Sequence, residues 1–135
     1  MKKIEPTLYN KLYKIQKLTN DFSEYNKNID NTLQEVLNTW QQITNSRYLY
    51  DNYLDILKIY TYKYDNESIV YFLKIKDNKI YSCSEYNFNN NKLENSYSYD
   101  LSDLSIFIKR NILSSLKTSL DIYISLLKNM ITSLK

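Results

Sequence analysis

A seven-residue step from Leu8 lands on Ile15, Phe22, Ile29, Val36, Ile43, Tyr50 and Leu57, apolar every time. The positions four residues further on are Leu12, Thr19, Asn26, Leu33, Trp40, Arg47 and Leu54, apolar at both ends and polar in between. Spacings that alternate four and three put these residues on one stripe of an α-helix, the seam of a coiled coil, where polar members such as Asn26 can fix register. Pro6 suits a first helical turn, where its missing N–H costs nothing, so the pattern predicts a helix over 6–62. At ~1.5 Å per residue that is a rod of about 80 Å, too long for the interior of one small globule. The stretch TNDFSEYNKNIDN, 19–31, is rich in weak helix formers and is the place for a kink or a break.

A second seam steps from Ile106 through Leu113, Leu120 and Leu127 to Leu134, with Lys109, Leu116, Tyr123 and Met130 beside it. It predicts a helix over 101–135, capped by Asp100, with Asp103 placing negative charge in the first turn. Phe107, Ile108, Ile112, Ile124 and Ile131 widen the stripe, so this helix should touch more than one neighbour.

Between the helices, IVYFLKI (69–75), KIYSCSEY (79–86) and KLENSYSY (92–99) are rich in β-branched and aromatic residues. Asp77 and Asn78 fit a two-residue hairpin turn, and NFNNNK, 87–92, a looser one. The expected segment over 69–99 is a meander of three strands, or four. With no helix lying across it, its edges and one apolar face would need partner sheets. The fold class is therefore α+β: a long antiparallel coiled-coil helical hairpin with an inserted β-meander of two hairpins, forming a single domain over 1–135. In that hairpin the 106–134 seam meets the first seam over 29–57.

Composition adds mostly exclusions. Gly, Ala and His are missing while Ile, Lys, Asn and Tyr make up nearly half the chain, the signature of an AT-rich genome, so absent glycines say little about function. The single Cys83 closes no internal disulfide and fits a reducing compartment. It reads as a small semi-buried strand residue, not a nucleophile. No metal site, cofactor or Gly-rich phosphate loop is expected. Asp51 and Asp55 share a helical face without a catalytic partner, so no catalytic residue is assigned. A net charge of +3 is small for a nucleic-acid binder, and the tyrosines are spread too evenly for a stacking platform. The start is locally basic, with Lys2, Lys3, Lys11, Lys14 and Lys17 facing only Glu5, which reads as a solvated helix end. With neither a signal-peptide core nor a membrane span, the expected location is the cytoplasm, without membrane contact.

IDNTLQEVL at 29–37, FLKIKDNKIYSCSE at 72–85 and YDLSDLSIFIKRNILSSL at 99–116, with Tyr99, Asp100 and Asn111 among the identities, resemble α-class prefoldin subunits. The resemblance implies a non-catalytic co-chaperone: a subunit of a heterohexamer whose β-segments join into a platform. Its coiled coils would capture unfolded clients such as actin and tubulin for a cytosolic chaperonin. The β-segment residues expected to serve assembly with sibling subunits are Ile69, Tyr71, Leu73, Ile80, Tyr97 and Tyr99. Client binding is expected at the helix tips, where Leu8, Tyr9, Leu12 and Tyr13, with Met130, Ile131 and Leu134 if the tips meet, form an apolar strip kept soluble by Lys11 and Lys14.

The rival is a structural coiled-coil subunit with a small α/β head, of kinetochore or tethering-complex type. LKIYTYKYDNESIVYFLKI, 57–75, would begin its head. That architecture lays the last helix on the sheet, whereas the prefoldin arrangement returns it along the first helix. The length of the 106–134 seam favours the return.

Overall fold

The structure, a computed structural model, describes residues 5–44, 49, 54–89 and 96–135. Helix α1 spans Pro6–Ile43, with Pro6 in its first turn as expected. It runs through 19–31 without interruption, because Asn, Asp, Ser and Thr each cost only ~0.5 kcal/mol in a helix, and neither Gly nor an interior Pro occurs there. Thr44 ends it. Its N–H bonds the Trp40 carbonyl at 3.1 Å, its hydroxyl donates to the same oxygen at 2.6 Å, and it accepts the Lys76 N–H at 3.4 Å.

The expected helix over 6–62 therefore stops at 43, and strand β1 occupies Ile56–Tyr64. Leu57 and Ile59 are buried while Lys58 between them is exposed, a period of two that outweighs the chance fit of Leu57 to the heptad step. Seam positions Arg47 and Tyr50 lie outside the described residues, as does Asp51. Asp65, at φ 47°, and Asn66 close β1 onto β2, Glu67–Lys74, whose first residue faces Tyr64. β3 is Ile80–Ser84, followed by the short helix α2, Glu85–Asn89, and by β4, Tyr97–Tyr99. The two-residue turn expected at Asp77-Asn78 is instead a longer connection over 75–79. There Lys76 has φ 63° and the Asp77 carboxylate accepts the Lys79 N–H at 3.1 Å. Of the looser turn expected at 87–92, residues 87–89 are helical and the rest lies outside the described residues.

The strands form one antiparallel meander in the order β1-β2-β3-β4, with β1 and β4 at its edges. Helix α3, Ile106–Ser133, starts later than expected: Ser105, not Asp100, caps it by accepting the Ile108 N–H at 3.3 Å. Asp100 opens a separate 3-10 turn, Leu101–Asp103, in which the Asp103 carboxylate accepts the Asp100 N–H at 3.4 Å.

The meander is not left bare, because both long helices lie across one face of it. Ile29, Leu33, Leu37 and Trp40 of α1 and Ile112, Leu116 and Tyr123 of α3 share a core with Leu57, Ile59, Tyr71, Leu73 and Ile80. On the opposite face Phe72 is fully buried between Tyr81 and Phe88, whose ring centroids lie 5.7 and 5.8 Å away.

The helices do not form the antiparallel pair expected. Lys109, near the start of α3, bonds Asp30 at 2.6 Å, and Tyr123, further along, packs on Trp40 with ring centroids 5.3 Å apart. Residue numbers rise together along the contact, so the two helices point the same way. Against β1, α3 runs in reverse: Asn111 reaches Tyr60 Oη at 3.3 Å, Ser115 and Ser119 reach the Ile59 carbonyl, and Tyr123 reaches the Leu54 carbonyl at 2.6 Å. Its wide apolar stripe thus serves two neighbours, as its composition requires.

Candidate interaction surfaces

The seam of α1 changes character along its length. Leu8, Leu12, Ile15 and Phe22 are 54–58% exposed, whereas Ile29 and Leu33 fall to 7% and 1%. The four-three spacing runs unbroken through both halves, so one stripe is buried in the head at its C-terminal end and open at its N-terminal end. Between them sits Asn26, half-buried, whose Oδ1 is enclosed yet accepts no hydrogen bond from any described residue. Lys14, Lys17, Asp21, Glu24 and Lys27 all fall outside the stripe and its immediate flanks, which keeps the open seam uncharged.

The residues expected at converging tips are not brought together. Leu8, Tyr9, Leu12 and Tyr13 lie well before Asp30, beyond the start of α3. Ile131 and Leu134, both exposed, lie beyond the end of α1 at the other end of the molecule, while Met130 is partly buried against the core. Counting ~1.5 Å per residue, Leu8 is about 33 Å before Asp30 and Leu134 about 16 Å past Tyr123. Shared helix direction, invisible to periodicity, separates the two sets.

Of the residues expected to meet sibling sheets, Tyr71, Leu73 and Ile80 are core residues beneath the chain's own helices. Ile69 and Tyr99 are partly buried against that core, and Tyr97, on the short edge strand β4, is exposed.

A cleft of about 820 Å³ follows the outer edge of β1. Ile56, Lys58 and Thr61 line one wall with Phe88, and Ser115, Ser119, Ile122 and Leu126 of α3 line the other. The serines come from one helical face at a spacing of four; the Ser115 hydroxyl donates to the Ile59 carbonyl, an acceptor that an edge strand would otherwise offer to a further strand, and the Ser119 hydroxyl lies 3.4 Å from the same oxygen and 3.1 Å from the Ser115 carbonyl. Sequence reading missed this contact, because α3 carries several other serines and nothing in their spacing marks Ser115 and Ser119.

Burial pushes the Cys83 thiol up, the opposite of what a thiolate nucleophile requires. Tyr81 is pushed up to about 12, first by burial and then by its hydrogen bond to Asp77, with the Lys74 ammonium 4.2 Å from its ring centroid. Among the described residues no group of His, Cys, Asp or Glu side chains could hold a metal ion, and no helix is long and apolar enough to cross a membrane. The features that stand out are surfaces for contact: the open seam, the β1 cleft and the two separated helix ends.

Comparisons with family models, with curated proteins and with solved structures find no match to this chain.

Proposed function

We propose that this chain is a structural subunit in which an α-helical stalk, residues 6–26, carries a small α/β head. The observation that carries this reading is the lie of α3, which reverses along β1 and runs in the same direction as α1. That packing covers the sheet from within the chain and leaves the open stretch of seam projecting from the head. A stalk and head of this kind holds other components at a set distance, as subunits of kinetochore or tethering complexes do. It requires no cofactor.

A second reading is the co-chaperone subunit of a prefoldin-like heterohexamer. What favours it is the exposure of Leu8, Tyr9 and Leu12 at a helix end, the kind of apolar strip that can hold an unfolded chain. The finer arrangement it needs is an antiparallel coiled-coil hairpin, with α3 returning along α1. Two measurements on the full-length chain separate the readings. The stalk-and-head reading expects no suppression of aggregation of an unfolded test protein at equimolar ratio, and capture of a fixed set of partners from native cytosol. Suppression, together with recovery of prefoldin siblings and chaperonin, would establish the co-chaperone instead.

A further inference from the structure

We infer that the open end of α1, residues 6–17, lies on the surface of an anionic lipid bilayer as a peripheral amphipathic helix; the inference deepens the stalk-and-head reading, on which it rests, by naming what the stalk meets.

The first turns of α1 divide into two faces. Leu8, Tyr9, Leu12, Tyr13 and Ile15 are each more than half exposed. Counting ~100° per residue, they cover one side of the helix, and Lys11, Lys14 and Lys17, all exposed, cover the side roughly opposite. Apolar and aromatic side chains on one face with lysines on the other are what a helix lying in a headgroup layer presents. The apolar face enters the acyl boundary, and the lysine stems reach back to the phosphates. Tyrosine suits that depth, its ring apolar and its hydroxyl wet.

Charge selects the surface. Five of the chain's 18 basic residues, but only one of its 15 acidic ones, lie ahead of Thr19. That imbalance exceeds the net charge of +3, so the rest of the chain carries no positive excess. Solvation alone would account for the lysines, but not for five large apolar side chains behind them. An anionic bilayer satisfies both at once. A helical partner would cover the stripe of four-three spacing and leave Tyr9 and Tyr13, which lie outside it, in water. A nucleic acid would pair with the lysines and leave Leu8, Leu12 and Ile15 bare.

The head permits the contact. It is held by Ile29, Leu33, Leu37 and Trp40, whose direction about the helix axis is turned ~70° from that of the five tip residues. The tip also lies clear along the axis, Leu8 being about 33 Å before Asp30. It can therefore rest on a plane with the head to one side, not beneath it. The contact is peripheral, since no described helix is long and apolar enough to cross a membrane.

The test is co-sedimentation of the intact chain with sucrose-loaded vesicles at about 0.1 M salt. Binding is expected to phosphatidylcholine vesicles containing about one-third phosphatidylserine, and to be at least about tenfold weaker to phosphatidylcholine alone. Lys11→Gln, Lys14→Gln and Lys17→Gln together should cost a similar factor and abolish the preference between the two vesicles. Leu8→Ser with Leu12→Ser should weaken binding to the anionic vesicles by about tenfold or more, while the near-ultraviolet circular dichroism of Trp40 in the head is unchanged. In a Cys83→Ser background, an environment-sensitive fluorophore on Leu12→Cys should shift to the blue on these vesicles, and the same fluorophore on Lys17→Cys should not. Equal binding to both kinds of vesicle, binding to neither, or equal shifts at both positions overturns the inference. So does a shift at position 12 without vesicles, produced by poly(U) RNA or by raising the concentration of the chain alone, which would give this face to a nucleic acid or to a second copy. None of these failures touches the lie of α3 on β1, so the stalk-and-head reading survives them. That reading falls instead if an oxidised Ile59→Cys, Ser119→Cys pair does not form within one chain.

Discussion

Trp40 and Tyr123 meet edge to face with ring centroids 5.3 Å apart, one tied to the end of β2 and the other to the chain just ahead of β1: Trp40 Nε1 donates to the Lys74 carbonyl at 2.9 Å and Tyr123 Oη to the Leu54 carbonyl at 2.6 Å. Two helices and two strands are thereby joined at one point of the core. Trp40→Ala should cost about 3–5 kcal/mol, enough to unfold much of a marginal domain, whereas Tyr123→Phe should cost about 1 kcal/mol. Urea denaturation followed by far-ultraviolet circular dichroism measures both, and equal losses would refute this division of roles.

Lys109 is 3% exposed at its side chain and has Asp30 as its partner. Asp30→Asn keeps a hydrogen-bonding oxygen but removes the compensating charge, and should destabilise by about 1–3 kcal/mol, since Asp30 itself is partly solvated. Replacing both, as Asp30→Asn with Lys109→Met, should recover most of that loss, because the cost lies in the unpaired buried ammonium. A double-mutant cycle gives the answer, and additive effects would mean the pair is not coupled.

Much of this was legible in the residues. Pro6 placed the start of α1, the four-three spacing placed its stripe, and the excess of apolar residues on α3 announced two neighbours. β1 was hidden because Leu54 and Leu57 fit the heptad step and a strand entry equally well. Asp65-Asn66, the same dipeptide read as a turn at 77–78, was the signal that would have revealed it. The direction of α3 left no trace in periodicity, since a stripe has the same spacing whichever way its neighbour runs. For the same reason Leu8 and Leu134 were each recognisable as surface apolar residues, but not as lying at opposite ends.

Removing the serine hydroxyls of α3 should bare the β1 edge. Ser115→Ala with Ser119→Ala is expected to cost about 1–2 kcal/mol and to increase concentration-dependent aggregation, read by light scattering during thermal melts. Loss of stability without added aggregation would mean the hydroxyls anchor α3 but do not guard the strand.

Tyr71, Tyr81, Tyr123 and Cys83 are all held above their ordinary values, with burial the largest cause in each. The folded chain keeps these protons more tightly than the unfolded one. Their contribution is therefore complete below about pH 9 and is lost as pH rises through the folded values, near 12 for Tyr81. Stability should be flat through neutrality and fall from about pH 9 upward, and tyrosinate absorbance should show a fraction of the tyrosines ionising late. A decline already under way at pH 7 to 8 would trace to other groups.

The common direction of α1 and α3 also makes the molecule an arrow. Its tail is the lone helix from Pro6, its body is the head, and its tip is the last turns of α3 past Trp40. Anything fused after α3 is therefore held far from anything fused before α1. A fluorophore at each end of one chain would therefore report the full span of the particle, a ruler whose graduations are helix turns.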